Sequence, residues 1–296
     1  MGNILLLFAL GCWKQNMESG KNLPSGTKYS VEFKTIPETI LPNEPVELKL
    51  AVFNKYSGKP VEKFKPINGK LMHLTIFNVE LTEYQHVFPK YTGNWTFTIL
   101  ATLPYFDDYR IYAEYSPDDS GEVLSILNAT TGYSSRNEKA LLYPEPLSET
   151  FGKKYNVTLS FESFDSDKGI DFIYSIRDSK TLKDISNLDS NLTAFGFLVI
   201  VSDDGMFYRR IYPLNETGEE KKEDDKIEFN AVFEKPGWYK LFAEFSHEKN
   251  VFLTDFTVKI DINKISNNKS GSGDNAVMKT IVELFNETIP PCMEYG

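Results

Sequence analysis

At 296 residues and roughly 150 residues per domain, the chain is long enough for about two hydrophobic cores and too long for a disulfide-stapled miniprotein. Its composition, 41% hydrophobic, 14% aromatic and 25% charged, is that of a globular protein with a leaning towards pleated, half-buried surfaces. A formal net charge of −10 gathers no phosphates, which excludes nucleic acid and anionic membrane surfaces as natural partners.

The first element is a seven-residue apolar run, Ile4 to Leu10, followed by Gly11 and Cys12. It is too short to span a bilayer and reads as the core of a signal peptide, with residues 1–20 a signal and flexible start. Ala9 and Gly11 place small residues before a cut at Cys12. The run Ala9-Leu10-Gly11-Cys12 also resembles the lipobox of bacterial lipoproteins, which makes Cys12 a lipidation candidate. Asn-x-Ser/Thr triplets at Asn94, Asn128, Asn156, Asn191, Asn215, Asn268 and Asn286 suggest a glycoprotein of a eukaryotic secretory route, although an Asn-rich chain also produces such triplets unselected. Either reading predicts a secreted or cell-surface protein with no membrane span, and the first adds a lipid anchor. Only Cys12 and Cys292 are present, so no disulfide framework and no zinc motif is expected, and Cys292 reads as an incidental tail thiol.

Between the ends, strand-like runs alternate with Pro, Gly, Asn and Asp clusters. Val46 to Phe53, Trp95 to Ile99 and Ile227 to Ala231 alternate apolar and polar residues at period two and predict half-buried antiparallel strands. Laid on itself, the chain repeats. Leu71 to Pro89 aligns without a gap on Phe195 to Pro213, and Tyr109 to Ser116 aligns on Tyr239 to Ser246. The second copy is longer by the charged run Gly218 to Lys226, a solvated hairpin loop.

Two copies of about 100 residues with about seven short strands each predict two tandem immunoglobulin-like antiparallel β-sandwiches. They are expected over residues 27–133 and 147–262, joined by residues 134–146. Residues 263–296 read as a Gly/Ser/Asn linker followed by a short amphipathic helix carrying Val277, Met278, Ile281, Val282 and Phe285.

The three histidines are the main carriers of chemistry. His73 and His86 fall on the two strands of one hairpin, Leu71 to Asn78 and Tyr84 to Phe88. A turn centred between Val79 and Glu80 sets them opposite each other on one face, where two neutral imidazoles can hold copper or zinc. Met72 would join them only across a bulge, because neighbouring residues of a strand point to opposite faces. Against this, Phe197 aligns with His73, so the position also reads as core, where histidine is usually neutral and hydrogen-bonded. His247 is expected in an exposed loop.

Met72-His73-Leu74, Tyr84 to Pro89 and Tyr109 to Tyr115 together resemble the small secreted β-sandwich domains called YtkA-like. The resemblance covers about Lys70 to Ser116 and implies an exported immunoglobulin-like sandwich with a link to copper at Met72, His73 and His86. Phe88 replaces the family's second downstream histidine, and the other copy has Gly196, Phe197, Arg210 and Tyr212 at the matching places, so its site is lost.

The remaining constellations are weaker. Tyr109 and its repeat mate Tyr239 read as corner or core residues. Asp107-Asp108, Asp118-Asp119 and Asp203-Asp204-Gly205 are turn pairs without calcium-loop spacing. No nucleophile elbow, positioned catalytic histidine or phosphate loop is present in the sequence. The expectation is a non-enzymatic binding or interaction protein acting on an extracellular protein or glycan. The alternatives are a copper- or zinc-binding accessory domain using His73 and His86, and a carbohydrate-binding module.

Overall fold

The structure is a computed structural model that describes residues 28–132, 139–151, 153–165, 169–185, 187–189, 196–214 and 226–261. The signal segment with Cys12, the sequons at Asn191, Asn215, Asn268 and Asn286, the expected C-terminal helix and Cys292 lie outside the described residues.

The first half contains β1 (Tyr29–Ile36), β2 (Pro45–Asn54), β3 (Phe64–Lys65), β4 (Met72–Asn78), β5 (Tyr84–Val87), β6 (Lys90–Tyr91), β7 (Thr96–Thr102), β8 (Asp108–Pro117) and β9 (Val123–Thr130). Strands β1-β2-β7-β6 form one antiparallel sheet, and β8-β4-β5, with β3 and β9 on the free edge of β8, form the other. Period two drives this arrangement. On β2 the residues Val46, Leu48, Leu50 and Val52 turn inward with Phe97 of β7. They meet Met72, Leu74 and Ile76 of β4 and Ile111 and Ala113 of β8 in one core.

The second half repeats the plan with β10 (Ser148–Phe151), β11 (Tyr155–Asp165), β12 (Gly169–Asp178), β13 (Gly196–Ser202), β14 (Tyr208–Ile211), β15 (Lys226–Ala231), β16 (Gly237–His247) and β17 (Asn250–Ile260). Its sheets run β10-β11-β12-β15 and β14-β13-β16-β17. The extra strand β10 covers the edge that β1 leaves open in the first copy. Among the described residues no helix is long and apolar enough to cross a membrane.

The hairpin registers correct the expected pairing. Phe77 faces Tyr84 and Thr75 faces His86, so the connection is six residues long, two more than the expected turn allows. Asn78 is the cause. Its side-chain carbonyl accepts the amides of Thr82 and Glu83 at 2.9 and 2.8 Å, while its amide group donates to Thr82 and Asp107. The second copy closes Val201 on Tyr208 in the same register.

Both β4 and β13 are buried along their whole length. One face belongs to its own sandwich core. The other belongs to a third cluster in which Phe77, Leu81 and Tyr112 of the first sandwich meet Phe197, Val199, Val201, Tyr208 and Phe242 of the second. The two sandwiches therefore pack sheet against sheet. Ala140 and Leu142 of the connecting segment join the same cluster.

Candidate functional site

His73 and His86 lie within this interface. They sit diagonally on neighbouring strands and stack with ring centroids 5.3 Å apart. His73 Nε2 lies 2.8 Å from the carbonyl oxygen of Ile67, and its Nδ1 lies 3.1 Å from His86 Nε2. A terminal nitrogen of Arg210, from the second sandwich, stands 2.6 Å from the same Nδ1.

This geometry corrects the expected metal set. Met72 points into the first sandwich core, on the opposite face from the imidazoles, and no bulge brings it round. The imidazoles meet, but they are buried, and a guanidinium occupies the place in front of Nδ1 where a cation would have to sit. Among the described residues no group of three or more His, Cys, Asp or Glu is placed to hold a metal ion. Burial, and then the Arg210 charge, lowers the His73 pKa to about 3, so the ring is neutral.

The residues around the pair obey an internal two-fold pattern. Tyr84 of the first sandwich donates its hydroxyl to Glu244 of the second, and Tyr208 of the second donates to Glu114 of the first at 3.0 Å. Tyr84 and Tyr208 are repeat mates, as are Glu114 and Glu244. Tyr84 stacks on Phe242 at 4.9 Å, and its mate stacks on Tyr112, the mate of Phe242, at 4.3 Å. Arg210 Nε stands 3.1 Å from Glu114, and the residue aligned with it, His86, places Nδ1 3.5 Å from Glu244. Each sandwich offers the other the same tyrosine, the same glutamate and one cationic or protonatable partner. This is the contact logic of a two-fold dimer within one chain. Thr75 Oγ1 adds a bond to the Tyr208 hydroxyl at 2.8 Å.

Burial raises the pKa of Glu114, opposed by Arg210, and pushes the hydroxyls of Tyr84 and Tyr208 well above their ordinary value. The tyrosines are therefore fixed donors to the two glutamates. Glu114 and Glu244 were missed at the sequence level. The available signal was a charged residue recurring inside an apolar strand, in Tyr112-Ala113-Glu114-Tyr115 and Phe242-Ala243-Glu244-Phe245.

Other expected residues fall as follows. Tyr109 accepts the Tyr105 amide and donates to the Tyr105 carbonyl, and Tyr239 donates to the Lys235 carbonyl at 2.7 Å, so both are buried corner residues. His247 is buried, not exposed, with Nδ1 3.2 Å from the Tyr155 hydroxyl, because β16 continues through it before turning at Glu248 and Lys249. The acidic turn pairs are engaged in bonds within the fold: Asp119 accepts Lys28 and Tyr29 from the start of β1, Asp107 accepts Asn78, and Asp204 accepts Ser202 and the Met206 amide of its own turn. Asn94 and Asn128 are exposed, whereas Asn156 is half-buried in a strand flanked on both sides.

A second feature stands at one end of the first sandwich. Ile40 bridges to Thr131, Asn43 bonds to the carbonyls of Leu103 and Pro104, and Thr131 bonds to the Tyr105 and Asp107 carbonyls. These bonds stitch the β1–β2 and β7–β8 connections to the end of β9. The stitched tip leaves Ile36, Leu41, Tyr105 and Phe106 exposed, Phe106 by 65%.

Compared with known proteins, residues 25–130 and 149–261 both match one family model, described as "Domain of unknown function (DUF8832)". No curated protein matches. Among solved structures, the chain is similar to a tetra-tandem repeat in the extending region of a large adhesion protein, with 8% identity, 79% of this chain and 49% of that chain covered and a TM-score of 0.25. It is also similar to a Ca2+-stabilized adhesin of an Antarctic bacterium that binds ice, with 8% identity, 79% and 48% covered and a TM-score of 0.24. The chain thus spans about half the length of these two structures.

Proposed function

The chain belongs to the DUF8832 family, which it carries as two tandem copies, and from that premise we propose that it is an exported, non-enzymatic binding protein. In this reading the copies are immunoglobulin-like sandwiches locked into one block, which presents a preformed apolar tip to an extracellular protein partner.

The strand order supports the sandwich type. One sheet runs β1-β2-β7-β6 and the other β9-β8-β4-β5, the order of two Greek-key sheets. Export is supported by the apolar run ending at Cys12 and by the exposed sequons Asn94 and Asn128, which are glycan acceptors in this reading. The observation that carries the binding role is the tip formed by Ile36, Leu41, Tyr105 and Phe106. Four large apolar side chains, Ile36 at the end of β1 and Leu41, Tyr105 and Phe106 on bonded loops, are exposed at one tip of the kind that marks protein interaction sites. A rigid backbone also lowers the entropy lost on binding.

The test is affinity capture from extracellular fluid with the wild-type chain and with a Leu41→Ser/Phe106→Ser variant. A partner held by the wild type and lost at least about tenfold by the variant, with unchanged thermal stability, is the expected outcome. Equal capture by both removes the tip from the account, and selective capture of glycans in place of protein would favour a carbohydrate-binding module.

A further inference from the structure

The outer edge of the first sandwich differs from its mate in the second, and the second shows what completes it. Tyr29 and Val31 of β1 align with Tyr155 and Val157 of β11. β11 is covered by β10, with Leu147 and Phe151 packed on the core and Val157 and Leu159 fully buried beneath. Their mates Val31 and Phe33 are only half-buried at the rim of the first core, and among the described residues no strand pairs with the outer edge of β1. The same alignment sets Gly26 and Lys28 on Gly152 and Lys154, which places Lys21 and Ser25 where Leu147 and Phe151 stand. The sequence preceding β1 therefore lacks the two apolar side chains that form the cover in the second copy.

Backbone direction defines what this edge can take. The Lys28 carbonyl accepts the Lys55 amide at 2.9 Å, so the even-numbered residues of β1 turn their backbone groups to β2, while Val31, Phe33 and Thr35 turn theirs outward. Leu159, the mate of Phe33, uses its outward amide to bond the Leu147 carbonyl at 2.7 Å. Glu32 and Lys34 flank Phe33 on the exposed face, and on the β2 side Lys34 faces another cation, Lys49. An acidic neighbour on the open side is its complement. Antiparallel pairing of β1 with β1 of a second copy, centred on Phe33, supplies that neighbour. Outward groups then meet outward groups, Val31 lies opposite Thr35, and Glu32 lies opposite Lys34, each twice by symmetry. Centring one residue earlier or later sets Glu32 on Glu32 or Lys34 on Lys34, and centring between residues forms no ladder. The charges that guard the edge against other strands thus select one register with its own copy.

We propose that β1 is a homodimerisation edge, at which two copies of the chain pair β1 to β1 about Phe33 and join two four-stranded sheets into one. The three facing pairs of outward residues supply about six backbone hydrogen bonds, and the two Phe33 side chains meet at the centre of the pairing, each covering the half-buried rim of the other's core. This inference does not depend on the binding reading.

The test is sedimentation of the full chain at low salt from about 1 to about 100 μM, with hydrogen exchange read at the amides of Val31, Phe33 and Thr35. The wild type is expected to pass from monomer to dimer, and those amides to gain protection as it does. Glu32→Lys and Lys34→Glu each place like charges in both cross-strand pairs, and each alone is expected to weaken the dimer by about tenfold or more. Mixed in equal amounts, the two variants regain both opposite-charge pairs and are expected to form a mixed dimer of wild-type affinity. Both substitutions fall on exposed side chains, so the fold is kept. A monomer throughout overturns the proposal, as does a dimer indifferent to these charges or a mixture no tighter than its components. Strong protection of the three amides in the monomer also overturns it, since the chain's own residues 21–25 would then occupy the edge.

Discussion

At the scale of single residues, the interface is governed by what each side chain can donate or accept. His73 illustrates the cost of placing a titratable group there. Its folded pKa of about 3 lies below the ordinary 6.5, so between these values the unfolded chain binds a proton that the folded chain refuses. Stability contributed by neutral His73 is therefore present above pH 6.5 and is lost as pH falls towards 3, by at most about 1.4 kcal/mol per unit. Glu114, whose pKa is raised, works in the opposite sense at the acid end and trims the effect. His73→Phe, which installs the residue of the second copy, is expected to flatten the fall in urea-unfolding stability between pH 6.5 and 4. An unchanged slope would show that His73 is not the group refusing the proton. The pairing of His73 with His86 on one face was legible in the sequence. Arg210, which takes the place of a cation before the ring, was not, because its approach is set by packing between repeats and not by spacing along the chain.

At the scale of elements, alternation at period two predicts the strands well, since an apolar residue at every second position has only one way to bury its row. The strand around Val46 to Phe53 lies within β2 and that of Ile227 to Ala231 within β15. The register of the hairpin was less legible, because it is set by the side chain of Asn78 in a loop and not by the flanking pattern. Asn78 is buried, and its side chain holds two amides of the turn and touches Asp107. Asn78→Ala is expected to cost about 1–3 kcal/mol in chemical denaturation, because those amides lose their acceptor. A loss below about 0.5 kcal/mol would mean that the strand pairing alone fixes the register. Similarly, the fate of His247 turned on how far β16 runs before its turn, a boundary that composition does not mark.

At the scale of the whole molecule, the internal repeat foretold two all-β units but not their relation. Each unit's second sheet is apolar on both faces, visible in Leu74 to Phe77 and Phe197 to Val201, and such a strand must be covered twice. The second cover is the other repeat. Reciprocal bonds from Tyr84 to Glu244 and from Tyr208 to Glu114 fix how the copies meet. The central claim is that this contact makes the pair one cooperative block, and urea unfolding followed separately at Trp95 and Trp238, one in each sandwich, tests it most directly. The account predicts coincident transitions in the wild type and separated ones in a Glu114→Ala/Glu244→Ala variant. Two independent transitions in the wild type would contradict it.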